Sequence, residues 1–135
     1  MDRTGEPLTS DQLEVLASLP GDGPVVMLNL LRFRDQAVYG DPGEACSGRE
    51  AYRRYSQTSM QAISTVGGSV IFSGKAHAPL IASPGETWHK VFLVRYPSVA
   101  AFRAMLAMPE YQASVRHRTA ALEDSRLVPL TPHTT

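Results

Sequence analysis

This chain of 135 residues has a single cysteine, Cys46, which excludes an internal disulfide and leaves no second thiol for a zinc knuckle. It also lacks an excess of either charge, because 13 basic and 13 acidic side chains cancel. A nucleic-acid groove or an anionic membrane surface calls for clustered cations, so neither partner is expected. The longest apolar runs are strand-length, and the opening stretch MDRTGEPLTSDQ carries no apolar segment of the secretory kind. A soluble cytoplasmic protein is the expectation. Glycine fingerprints are missing too. Gly21-Asp22-Gly23 and Gly67-Gly68 lack the spacing of a dinucleotide or phosphate loop, and no nucleophile elbow occurs. No cofactor is expected on these grounds.

Apolar residues make up 43% of the chain, enough for one real core. They gather in the runs VVMLNLLRFR, SVIFSGKAHA, WHKVFLVRYP and RLVPL, and helical stretches between them give the order β-α-β-β-α-β. That order predicts an α+β fold in which a four-stranded antiparallel sheet carries both helices on one face. The other face would be bare. Several residues expected on it are apolar, so a second copy of the chain is expected to cover it as a homodimer. The chain divides into an N-terminal helical extension over residues 1–23, a βαββαβ domain over 24–130 and a flexible tail over 131–135.

Residues 9 to 19 read as a helix capped by Thr9 or Ser10 and stopped by Pro20-Gly21. A strand over 25–34 follows, then the loop DQAVYGDPGEAC, long enough to build a pocket wall. Ser47 and Glu50 have the spacing of a capping box. Behind them Tyr52, Tyr55, Ser59, Ala62, Ile63 and Val66 recur at helical steps. Strands over 69–76 and 88–96 flank the irregular loop HAPLIASPGET. The second long helix starts at Ser98, breaks at Pro109 and restarts there, with Tyr111, Val115, Arg118 and Leu122 on one stripe. A last strand is expected at 126–130.

The blocks SGREAYRRY, VGGSVIFSG, VFLVRYPSVAAF and MPEYQASVRHRTAAL resemble, in order, the family called domain of unknown function 1330, of the dimeric α/β-barrel superfamily. The resemblance spans residues 25 to 130. It implies a ferredoxin-like subunit whose sheet meets that of a partner to form a barrel, with pockets between sheet and helices or inside the barrel. It also implies a range of activities: cofactor-independent monooxygenases, small-molecule lyases and isomerases, haem-binding enzymes and proteins with no known reaction. The family pattern falls here on Asn29, Tyr52, Tyr55, Gly68, Pro109, Glu110, Tyr111 and Arg118, while its usual acidic residue after the third-strand tryptophan is His89 in this chain.

Asn29 places an amide in the middle of an apolar strand, either as a structural amide bonded across a sheet or dimer interface or as a group that orients a ligand oxygen. Arg118 interrupts an apolar helical stripe. Its guanidinium suits a carboxylate or enolate oxygen, and the alternatives are an ion pair with Glu110 or Glu50, or extension into water. His117 is the natural general base if it shares a pocket rim with Arg118 rather than facing water. Tyr52, Tyr55 and Tyr111 either pack the helices or offer hydroxyls to a ligand. His77 and His89 approach across the irregular loop without a third ligand at metal spacing, so metal or haem binding has little support. Trp88 reads as an interface or lid residue.

Two functional classes follow. One is a small-molecule pocket protein, acting by proton transfer or oxygenation without a cofactor on an acidic or enolisable substrate, with His117 as base and Arg118 and Asn29 holding an oxyanion. The other is a non-catalytic ligand-binding or accessory dimer.

Overall fold

A computed structural model of the protein describes residues 8–133. Residues 1–7, part of the expected N-terminal extension, and 134–135, the end of the expected tail, lie outside the described residues. Helix α1, Ser10–Ala17, is closed at its start by a capping box in which Thr9 and Gln12 satisfy each other's backbone amides. Its Leu16 is buried in the core, so this helix packs on its own chain.

Strand β1, Val25–Phe33, alternates strictly between buried and half-buried residues. Val25, Met27, Asn29, Leu31 and Phe33 face inward, and Val26, Leu28, Leu30 and Arg32 face outward. Strands β2, Ser69–Lys75, and β3, Lys90–Tyr96, and β4, Leu122–Leu130, complete an antiparallel sheet of order β2-β3-β1-β4. Helices α2, Gly48–Thr65, α3, Val99–Ala107, and α4, Pro109–Ala121, connect the strands. Ala51, Tyr52, Tyr55, Ala62, Ile63, Val99, Phe102, Met105, Tyr111 and Ala121 of these helices form one core with Val25, Met27, Leu31 and Phe33 of β1. This is the ferredoxin-like arrangement. The outward face carries Leu28, Leu30, Leu93 and Phe72 in adjacent register, and Phe72, Val128 and Leu130 are each at least 40% exposed.

Three local devices set the helices over the sheet. Ser47 Oγ accepts the Glu50 N–H at 3.0 Å and caps α2, but the expected reciprocal bond is absent because the Glu50 carboxylate pairs with Arg53 and Arg54 instead. Gly48 is wedged against backbone: a Cβ built there would lie 2.1 Å from the Arg34 carbonyl oxygen and 2.7 Å from that of Ala121. Gly67, at φ 83°, turns the chain from α2 into β2.

Pro109 breaks the second long helical run as expected, with Met108 extended between α3 and α4. The final strand is longer than expected. It starts directly after α4 at Leu122, which is fully buried as a strand residue opposite Phe33 rather than continuing the helical stripe.

Candidate functional site

The helix layer stands off from the middle of the sheet and leaves a cavity of about 910 Å³. Asn29, Tyr52, Tyr55, Tyr111 and Arg118 all line it. The alternation of β1 turns Asn29 inward, where its amide nitrogen donates to the Met27 carbonyl at 3.1 Å. The side-chain oxygen and second N–H remain for the cavity. This inward placement separates Asn29 from the outward sheet face on which a dimer contact was expected.

Tyr52 and Tyr55 project from α2 one turn apart, with ring centroids separated by 5.2 Å. Tyr55 meets Tyr111 of α4 hydroxyl to hydroxyl at 2.8 Å. Burial pushes the Tyr52 and Tyr55 phenols well above their ordinary range, and the Arg118 charge only partly offsets this. Both therefore stay neutral and act as hydrogen-bonding hydroxyls.

Arg118 reaches across from α4 to β4, with Nη2 3.4 Å from Ser125 Oγ. Neither expected ion pair forms. Glu50 is engaged by Arg53 and Arg54, Glu110 is exposed at the start of α4, and among the described residues no carboxylate lies within ion-pair distance of Arg118.

The family model for the domain of unknown function DUF1330 matches residues 45–129. The chain belongs to that family. The crystal structure of the RPA0582 protein of unknown function from Rhodopseudomonas palustris is 38% identical, with a TM-score of 0.87, 96% of this chain and 97% of that one being covered. A structure of methylated RPA0582 protein is 40% identical, with a TM-score of 0.89 and 99% and 98% covered. An uncharacterized NIPSNAP domain protein from Burkholderia xenovorans shares the fold alone, at 18% identity and a TM-score of 0.52 over 82% of this chain and 95% of that one. No curated protein matches the sequence.

In this DUF1330 protein His117 does not join Arg118. Adjacent helical residues point about 100° apart, and His117 turns toward the loop after β1, where its Nδ1 lies 2.6 Å from the Tyr39 hydroxyl. It is not among the cavity-lining residues. Burial, reinforced by the Arg116 and Arg54 charges, lowers its pKa. The expectation that His117 serves as the cavity's general base is therefore dropped: it belongs to a clamp in which Arg116 and Arg54 cover the Tyr39 ring and Arg116 pairs with Glu44.

His89 and His77 do not form a ligand pair. His89 stacks on Phe33, and its Nδ1 accepts the Phe33 N–H at 3.0 Å. His77 is exposed, and among the described residues no group of three His, Cys, Asp or Glu side chains gathers as a metal site. Trp88 is not a lining residue; its indole donates to Glu86 and its ring lies under the Arg126 guanidinium.

Several lining groups escaped the sequence reading. Lys90, Ser125 and Gln112 face the cavity, and α1 contributes Leu13 and Leu16 to its wall. The register could have found Lys90 and Ser125, since both sit opposite Leu31, two residues along from Asn29 on the same face.

Proposed function

We propose that this DUF1330 protein is a small-molecule pocket protein that holds an acidic or enolised ligand in the cavity between sheet and helices. The observation that carries this reading is Arg118, a guanidinium at the cavity wall with a neutral hydroxyl as its neighbour and no carboxylate partner among the described residues. A cation in a partly desolvated site is stabilised by a bound anion, and its planar donors fit a carboxylate or enolate. Asn29 and the Tyr55–Tyr111 pair add hydrogen-bond donors and acceptors that orient the rest of the molecule.

Among the described residues no His, Asp or Glu lines the cavity, which favours binding and orientation over proton abstraction by the chain. Cofactor-independent oxygenation of a substrate that arrives as its own enolate is the second reading, favoured by cations that stabilise such an anion. We further infer a homodimer, in which Leu28, Leu30, Leu93 and Phe72 of one outward sheet face meet those of a second copy.

Arg118→Met keeps the side chain's length and removes its charge. Calorimetric titration with benzoate and with acetylacetone should show binding to the parent and roughly tenfold or greater weakening in the variant, with the fold retained. If the variant binds equally well but unfolds several kcal/mol more easily, Arg118 is structural and the reading fails.

A further inference from the structure

The cavity wall is polarised along its length, and this deepens the functional reading above by naming the kind of ligand. The polarity can be followed row by row through the sheet. At one end Lys90 and Ser125 flank Leu31 in register, Arg118 reaches Ser125 from α4, and Lys75 lies directly opposite Lys90. Like charges placed opposite each other across strands repel. Among the described residues none of Lys75, Lys90 and Arg118 has an ion-pair partner, whereas the nearby Arg32 and Arg126 are paired with Glu123 and Asp124.

One row further on, Asn29 lies between Phe92 and Leu127; the next places Met27 between Val94 and Pro129. Beyond these the wall is Tyr96, Phe102 and Met105, closed by Ile63 of α2 and Leu16 of α1. Tyr96 lies six residues from Lys90 along β3, which is about 20 Å at the rise of an extended strand. The cavity therefore has a cationic end, the Asn29 amide part-way along its sheet wall and a mainly apolar end with Gln12 and Gln112 on its helical side, and among the described residues its lining includes Lys90, Arg118 and Arg126 but no acidic residue.

We propose that the cavity takes an amphiphile with one anionic head and an extended apolar body. The head sits between Arg118, Lys90 and Ser125, and the body runs past Asn29 toward α3 and α1. A compact acid would occupy the cationic end and leave the apolar end unused. A neutral chain would leave the cations uncompensated. An acyl carboxylate satisfies both ends.

Four probes separate these cases by calorimetry on the full chain, each below its micelle-forming concentration: dodecanoate, dodecan-1-ol, dodecyltrimethylammonium and benzoate. Dodecanoate should bind at one per chain and roughly tenfold or more tighter than each of the others. Arg118→Met and Lys90→Met should each bring dodecanoate toward the affinity of the alcohol, which they should leave unchanged. Met105→Trp, or Leu106→Trp should the first fail to fold, fills the apolar end and should weaken dodecanoate while sparing benzoate. Equal affinity for dodecanoate and dodecan-1-ol would overturn the charged-head assignment. Benzoate binding as tightly as dodecanoate would overturn the apolar body while leaving the anion-binding pocket intact, and failure of both acids to bind would remove the pocket reading as well.

Discussion

Replacing Gly48 by alanine sets two opposed effects against each other, and the structure decides the sign. In an exposed helix, alanine is favoured over glycine by up to about 1 kcal/mol. At Gly48 the added methyl would lie 2.1 Å from the Arg34 oxygen, 2.7 Å from the Ala121 oxygen and 2.8 Å from the Arg34 nitrogen. Carbon–oxygen contacts settle near 3.3 to 3.6 Å, so α2 must withdraw by roughly an ångström from two backbone segments. That movement strains the Gly48 N–H to Arg34 bond and the Arg34 N–H to Ala121 bond that tie α2, β1 and α4 together. Overpacking of this kind costs about 1–3 kcal/mol or more, and each weakened hydrogen bond adds about 1 kcal/mol. The net expectation for Gly48→Ala is a loss of about 2–4 kcal/mol, read as a lower urea midpoint at unchanged slope. A variant as stable as the parent, or more so, would show that the junction yields freely and that the close approach has no energetic role.

Two further expectations concern pH and assembly. The lowered His117 pKa means that the folded state binds its proton less readily than the unfolded chain, so stability from this group is present above pH 6.5 and is lost as pH falls through the folded value. Denaturation at pH 7.5 and 5.5 should show the parent losing stability with acid and His117→Gln losing less; identical slopes would refute the assignment. Sedimentation at micromolar concentration should give about twice the 14.7 kDa chain mass, and Leu30→Lys on the outward face should shift it to the monomer. A parent that stays monomeric would remove the sheet-to-sheet dimer.

The sequence made the sheet legible where side chains alternate and the helices legible where a cap announces them. A strand turns successive side chains to opposite faces, so Asn29 could be placed on the face of Met27 and Leu31 before its environment was known, and the burial of Val25 to Phe33 follows that period. Ser47 and Pro109 likewise mark real helix starts. Leu122 misled because it stands four residues beyond Arg118, the helical spacing, and no glycine or proline separates α4 from β4. The cap carboxylate of Glu50 was claimed by Arg53 and Arg54, a competition that spacing alone does not rank.

Arg118 stood out as a charge within an apolar stripe, and it lines the cavity. His117 was attached to it by sequence adjacency, which on a helix separates side chains. Lys90 was passed over because both faces of β3 carry apolar residues and its own face could be chosen only once the register with β1 was known.

The hydroxyl pair formed by Tyr55 and Tyr111 has a consequence for how the cavity reads a guest. Two phenol hydroxyls own two hydrogens, and their 2.8 Å contact uses one of them. One hydrogen is left over, and because either oxygen can be the donor within the pair, it can be carried by either ring. Reversing the pair exchanges which helix, α2 or α4, presents the donor and which presents the acceptor, with no ring displaced. The wall is in this sense a two-position selector built from oxygen and hydrogen alone, able to match a carbonyl at one place or at its neighbour at the cost of two O–H rotations.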